Sequence, residues 1–207
     1  MQEINTIFYI VILIMSVIIH EISHGYAAKF LGDNTAEYAG RLTLNPLKHL
    51  DPIGSVLVPL ILIISKAGFV FGWAKPVPYN EFNLRNRKWG TVVVASAGII
   101  SNLTLALLFG LLIRISISMD FASPAFLSIS GLIVLVNIVL GIFNLIPIPP
   151  LDGSKILFSL LPAGWRRVQI ILEQYSLVVL IIFIFFGWQY LSPVIFGLFK
   201  FLTGVSF

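Results

Sequence analysis

An all-α, polytopic membrane protein is the fold class this sequence predicts, and composition, segment length and charge placement lead to it. Of 207 residues, 58% are hydrophobic and only 11% are charged. A soluble domain carries about twice that charge. Mean hydropathy is +0.99. Several apolar stretches reach the ~20 residues that a helix needs to cross a bilayer. The expectation is one membrane-embedded domain over residues 1–207, a bundle of about 4–6 transmembrane helices with a short membrane-associated β-hairpin or sheet. The chain has no cysteine, which excludes disulfides, cysteine zinc sites and thiol catalysis. A net charge of +4 is read as cytoplasmic loops rich in Lys and Arg rather than as a nucleic-acid surface.

The elements follow in order. Residues 4–30 form a first span; its leader holds Glu3 and no Lys or Arg, unlike a cleaved secretory signal, so it is expected to be retained. Residues 31–51 are polar and turn-rich, with Gly32-Asp33-Asn34, Gly40, Asn45-Pro46 and Asp51-Pro52. Within them Ala36 to Leu44 is expected to form a strand or hairpin. Residues 53–65 are apolar but short and carry Pro59, and are expected to be a re-entrant segment or short helix. A basic loop, GWAKPVPYNEFNLRNRKWG in its main part, occupies 66–90. Further spans are expected at 91–118, with small residues Ala95, Ala97, Gly98 and Ser101 that allow close helix approach, at 125–146 and at 168–191. Residues 193–207 are apolar but too short for an expected crossing.

Charge placement orders the topology. If 53–65 crossed, the loops before and after it would lie on opposite sides, yet both are basic. If it dips in and returns, 11 of the 13 Lys and Arg fall inside, leaving Arg114 and Lys200 outside. The positive-inside rule favours this second arrangement. So does length, since 13 residues of helix rise about 20 Å against a hydrocarbon core of about 30 Å.

The chemistry centres on HEISH, His20 to His24. On a helix, positions i and i+4 share a face, so both imidazoles reach one metal ion. Glu21 lies about 100° around the helix, placed to take a proton from water and pass it to a leaving amine. From His24 to the helix end at Phe30 is about 9 Å, and from His20 about 15 Å, so the trio sits inside the hydrocarbon near its cytoplasmic edge. Ionisable groups there cost roughly 2.5–3.5 kcal/mol each on insertion scales and mark function. A catalytic zinc site uses three protein ligands and leaves one position open. The third candidates are His49, Asp152 or another carboxylate. His49 stands in a polar loop. Asp152 follows the proline-broken end of a span, where its plain alternative role is to cap a helix at Gly153 to Leu161.

HEISHGYAAKFLGD followed far downstream by NLIPIPPLDG resembles the site-2 protease family of intramembrane zinc metalloproteases, peptidase family M50. That family carries HExxH on one span and N-x-x-P-x-x-x-L-D-G at the end of a later one. The resemblance covers most of residues 16–155 and includes AGRLTLNPLKHLDPIGS and GWAKPVP. It implies one Zn2+ per chain held by His20, His24 and Asp152, with Glu21 as catalytic base and Asn144 binding the substrate backbone. It also implies a minimal member without a PDZ or CBS domain. The family's A-G-P-x-x-N reads Ala97-Gly98-Ile99-Ile100-Ser101-Asn102 here, without the proline, which bears on the shape of a helix start.

The expected activity is zinc metalloendopeptidase hydrolysis of peptide bonds within or next to transmembrane helices, as in regulated intramembrane proteolysis. The expected partners are a transmembrane protein substrate and the lipid bilayer, with no nucleic acid. The expected place is the plasma membrane of a bacterium or archaeon, with the site near the cytoplasmic face. A substrate helix must unwind before hydrolysis, and the strand expected at Ala36 to Leu44, with GWAKPVP, would pair with it. An alternative function is an intramembrane metal-binding transporter or channel. It does not require Glu immediately after the first His, and it should show metal ligands at more than one depth.

Overall fold

The computed structural model of the chain describes residues 2–65 and 74–205. Among the described residues four helices are long and apolar enough to cross a membrane: α1 (Gln2–Phe30), α4 (Arg87–Ser118), α5 (Pro124–Leu145) and α8 (Ser176–Thr203). Between them lie α2 (Thr35–Tyr38), α3 (Val58–Ile64), α6 (Asp152–Leu160) and α7 (Arg166–Gln174). The helix starts follow local chemistry. Asn86 caps α4 by accepting from Trp89 N–H, and Ser123 caps α5 by accepting from Phe126 N–H, with Pro124 at the first helical position. Gly204, at φ 80°, ends α8 in the left-handed conformation that glycine adopts without strain.

Helix α4 is the central element and packs against α1, α5, α6 and α8. Its C-terminal half joins α5 and α8 in one apolar core of Ala106, Ile113, Val134, Ile138, Ile195 and Phe199. Its N-terminal half packs Val94 against Ala28 and Leu84. Side chains on the outer faces, such as Leu107, Leu111, Phe185 and Phe186, are exposed, as a lipid-facing surface requires. Arg114, near the end of α4, donates to the carbonyls of Phe201 and Leu202 at the end of α8. The C-terminal ends of α4 and α8 therefore meet at one end of the bundle.

The loops gather at the opposite end. Asp33 is fully buried and accepts from Thr35, from Asn80 N–H and from the Asn83 amide. One carboxylate thus joins the turn after α1 to the segment before α4.

Several expectations change. There is no β-strand among the described residues. Ala36, expected in a strand, lies in α2, and its carbonyl accepts from Arg41 N–H in the turn that follows. Groups that a β-ladder would use are taken by side chains: His49 Nε2 bonds the Thr43 carbonyl, and Arg41 bonds the Lys75 carbonyl. Gly72 and Trp73 lie outside the described residues, and Ala74 to Asn80 follow without helix or strand. The segment at 53–65 is a π-helical stretch, Pro52–Leu57, leading into α3. The last span is Ser176–Thr203 rather than 168–191. Residues 166–174 form the separate helix α7, which buries no side chain, while α8 runs on to Thr203, with Pro193 inside it, through the stretch read as too short to cross. Ala97 to Asn102 lie within the uninterrupted α4 and do not start a helix.

Candidate metal centre

Helix periodicity places Ser16, His20 and His24 on one face of α1, and Val94, Gly98 and Asn102 on one face of α4. The two faces meet. His24 Nδ1 lies 2.7 Å from the Val94 carbonyl oxygen. A carbonyl only accepts, so that nitrogen carries the proton. His20 Nδ1 lies 2.6 Å from Asn102 Oδ1. Between them, a Cβ on Gly98 would fall 2.6 Å from atoms of both imidazoles. Only glycine leaves room for the rings.

Asp152 arrives from the other side. The chain breaks at Ile146 to Leu151 and restarts as α6, with Leu151 in the capping position and Asp152 in the first turn. Gly153 lets this turn approach the backbone of Leu145 and Ile146, where any Cβ would collide. Asp152 Oδ2 then lies 3.0 Å from His20 Nε2 and 3.0 Å from His24 Nε2, and the two Nε2 atoms are 3.0 Å apart. All three residues are buried. Asp152 Oδ1 accepts from Lys155 Nζ at 2.9 Å, one turn along α6. The carboxylate therefore faces the histidines instead of capping its own helix.

This donor set fits zinc. Neighbouring ligands of a tetrahedral zinc ion with bonds of about 2.0–2.2 Å stand about 3.3 Å apart. Here two imidazole nitrogens and one carboxylate oxygen converge at 3.0 Å from separate directions. The second nitrogen of each ring is already engaged, which orients the free one. His20, His24 and Asp152 are the one such group among the described residues.

Glu21 stands beside this group. It is half-buried, and its Oε2 accepts from Val77 N–H at 2.8 Å. The segment that supplies Val77 is pinned by Arg41 on the Lys75 carbonyl and by Lys75 N–H on the His49 carbonyl. His49, the other candidate ligand, is buried in this scaffold with Nε2 on Thr43, and it is not part of the metal group. Asn144 is half-buried near the end of α5, and its amide donates to the Leu140 carbonyl one turn back. The resemblance suggested neither Lys155, Val77 nor Asn137 for the site. Asn102 appeared only as a motif letter. The available signal for both asparagines was their polarity inside apolar spans.

Fold and site together define a multi-pass membrane protein of the zinc metalloprotease class. A family model for peptidase family M50 matches residues 112–187. Three similar proteins bear the name "Putative zinc metalloprotease". YwhC of Bacillus subtilis is 38% identical over 180 residues, covering 84% of this chain and 78% of YwhC. Rip2 of Mycolicibacterium smegmatis is 32% identical, covering 82% of this chain and 63% of Rip2. Rip2 of Mycobacterium tuberculosis strain H37Rv is 30% identical, covering 93% of this chain and 73% of Rip2. No solved structure matches the chain. The chain belongs to peptidase family M50, the site-2 protease family.

Proposed function

We propose that the chain is an intramembrane zinc metalloendopeptidase that hydrolyses peptide bonds within or next to transmembrane helices of membrane-protein substrates. The observation that carries this reading is the convergence of His20, His24 and Asp152 from two helices, with Glu21 beside them and not among the ligands. Zinc held there would polarise the scissile carbonyl and bring the pKa of a water down toward about 7. Glu21 accepts the proton of that water and returns it to the leaving amine. The Val77 N–H fixes one of its oxygens and leaves the other for proton transfer. His20 and His24 hold their Nε2 atoms toward Asp152 through the bonds at their Nδ1 atoms. Asn144 binds the substrate backbone after its amide leaves the Leu140 carbonyl.

The loops at 31–50 and 74–86 are assigned to the cytoplasmic side, with the N-terminus outside. The spans then run alternately, and residues 53–65 do not cross. The meeting of Arg114 with the end of α8 supports this order, because it places the two expected outer cations, Arg114 and Lys200, at one end of the bundle.

The test is incubation of the purified chain with a model transmembrane peptide, with products read by mass spectrometry. The expected result is a cut in or beside the apolar segment, abolished by a chelator and restored by zinc. A peptide left intact under zinc-loaded conditions, with metal passing across a vesicle membrane, would establish the transporter reading instead.

A further inference from the structure

A buried polar chain runs away from the metal centre through three helices. His20 Nδ1 meets Asn102 Oδ1 at 2.6 Å, and Asn102 Nδ2 meets Asn137 Oδ1 at 2.8 Å and, at the longer distance of 3.4 Å, the Ser16 carbonyl. Asn137 Nδ2 meets the Ile133 carbonyl at 2.9 Å and Ser16 Oγ at 3.0 Å. Asn102 and Asn137 are fully buried, and Ser16 is nearly so. Such groups, deep among apolar helices, are retained only where their partners are met.

The chain has a direction, and its far end sets it. The Ile133 carbonyl only accepts, so the nitrogen of the Asn137 amide must face it. That leaves Asn137 Oδ1 toward Asn102, which must present its own nitrogen; the weaker, longer contact of that nitrogen with the Ser16 carbonyl points the same way, and the 2.8 Å bond to Asn137 is the stronger constraint. Asn102 Oδ1 is then the end that faces His20, so the imidazole carries its proton on Nδ1. Its Nε2 is left with a lone pair at the point where the metal ligands converge. Reversing the Asn102 amide would set its N–H group against an N–H and its oxygen against the Asn137 oxygen. His24 needs no such chain, because a backbone carbonyl cannot reverse.

We propose that Asn137 is a positioning residue for the metal centre: through Asn102 it fixes the His20 proton on Nδ1 and keeps Nε2 free to bind zinc. This rests on the reading of His20, His24 and Asp152 as a zinc site. Asn137 lies on α5 and acts by dictating which end of Asn102 faces the ring.

The test is zinc affinity, measured by chelator competition on the full-length chain in detergent. Asn137→Leu removes the amide while keeping its approximate shape. It should weaken zinc binding about tenfold, the range of an outer-shell loss. The same substitution in an Asn102→Asp background should cost nothing further, because a carboxylate presents an oxygen to the ring whichever way it turns, and Asn137 then has no orientation left to set. An equal loss in both backgrounds would mark Asn137 as a packing residue and overturn the proposal. So would wild-type affinity in Asn137→Leu. Should these variants not fold, 15N NMR of the zinc-loaded wild type decides: His20 is expected to bind through Nε2 with Nδ1 protonated, and ligation through Nδ1 overturns the proposal. A wild-type chain that binds no zinc would instead overturn the zinc reading itself.

Discussion

At the scale of single residues, the proposed metal ligands with Glu21 and one structural carboxylate, Asp33, matter most. HExxH was legible because the helical period turns its spacing into a shared face. Asp152 was legible in its motif but not in its orientation: an aspartate ahead of a helix equally predicts a cap, and only the fold shows its oxygens on His20, His24 and Lys155. Asn137 was not legible as a positioning residue, since its partners are 35 and 121 positions away. Asp33 shows the same limit, for its bonds to Asn80 and Asn83 join distant loops. Burial pushes the Asp33 carboxyl up, but bonds from Thr35, Asn80 and Asn83 outweigh it and hold the pKa below the ordinary carboxylate value. A lowered native pKa adds stability that is complete above the unfolded value, about 4. That stability is lost as pH falls through the native pKa. Asp33→Asn should therefore destabilise the chain at neutral pH by about 1.5–3 kcal/mol. Its thermal midpoint should also depend less on acid than the wild type's. A midpoint unchanged at neutral pH would show that the two loops hold together without this charge.

At the scale of elements, α1 and α4 form the site by apposed faces. Small residues in the span at 91–118 pointed to close packing, and Gly98 is where α4 meets both imidazoles. Gly98→Ala places a methyl group 2.6 Å from atoms of both rings, while alanine favours helix over glycine. Zinc affinity should fall about tenfold or more, with helicity by circular dichroism intact. Wild-type affinity would mean that the rings sit elsewhere in solution. Two elements were misread. The β-prone run at Ala36 to Leu44 forms no strand because side chains and a turn take its backbone groups. The span read at 168–191 ran two helices together. Val168, Ile171 and Leu172, spaced three and four apart, give Arg166–Gln174 one apolar face as an exposed amphipathic helix, and the span starts eight residues later than expected, at Ser176.

At the scale of the whole molecule, four helices among the described residues are long and apolar enough to cross a membrane, and the proposed topology rests on the placement of cations. The chain lacks cysteine, so single introduced cysteines report cleanly. Tyr38, Phe82 and Met119 are exposed, the first two in the site-side loops and the third between α4 and α5. Tyr38→Cys and Phe82→Cys should react with an impermeant maleimide only after cells are permeabilised, and Met119→Cys should react in intact cells. The reverse pattern would place the metal centre on the outer side.

The central claim is that Glu21 performs proton transfer beside a zinc ion held by other residues. Zinc content and transmembrane-peptide cleavage, measured together on the wild type and Glu21→Gln, test it most directly. Glutamine keeps the size of the side chain but cannot act as a base. One zinc per chain is expected in both proteins, with cleavage products only from the wild type. Full proteolysis by zinc-loaded Glu21→Gln would contradict it.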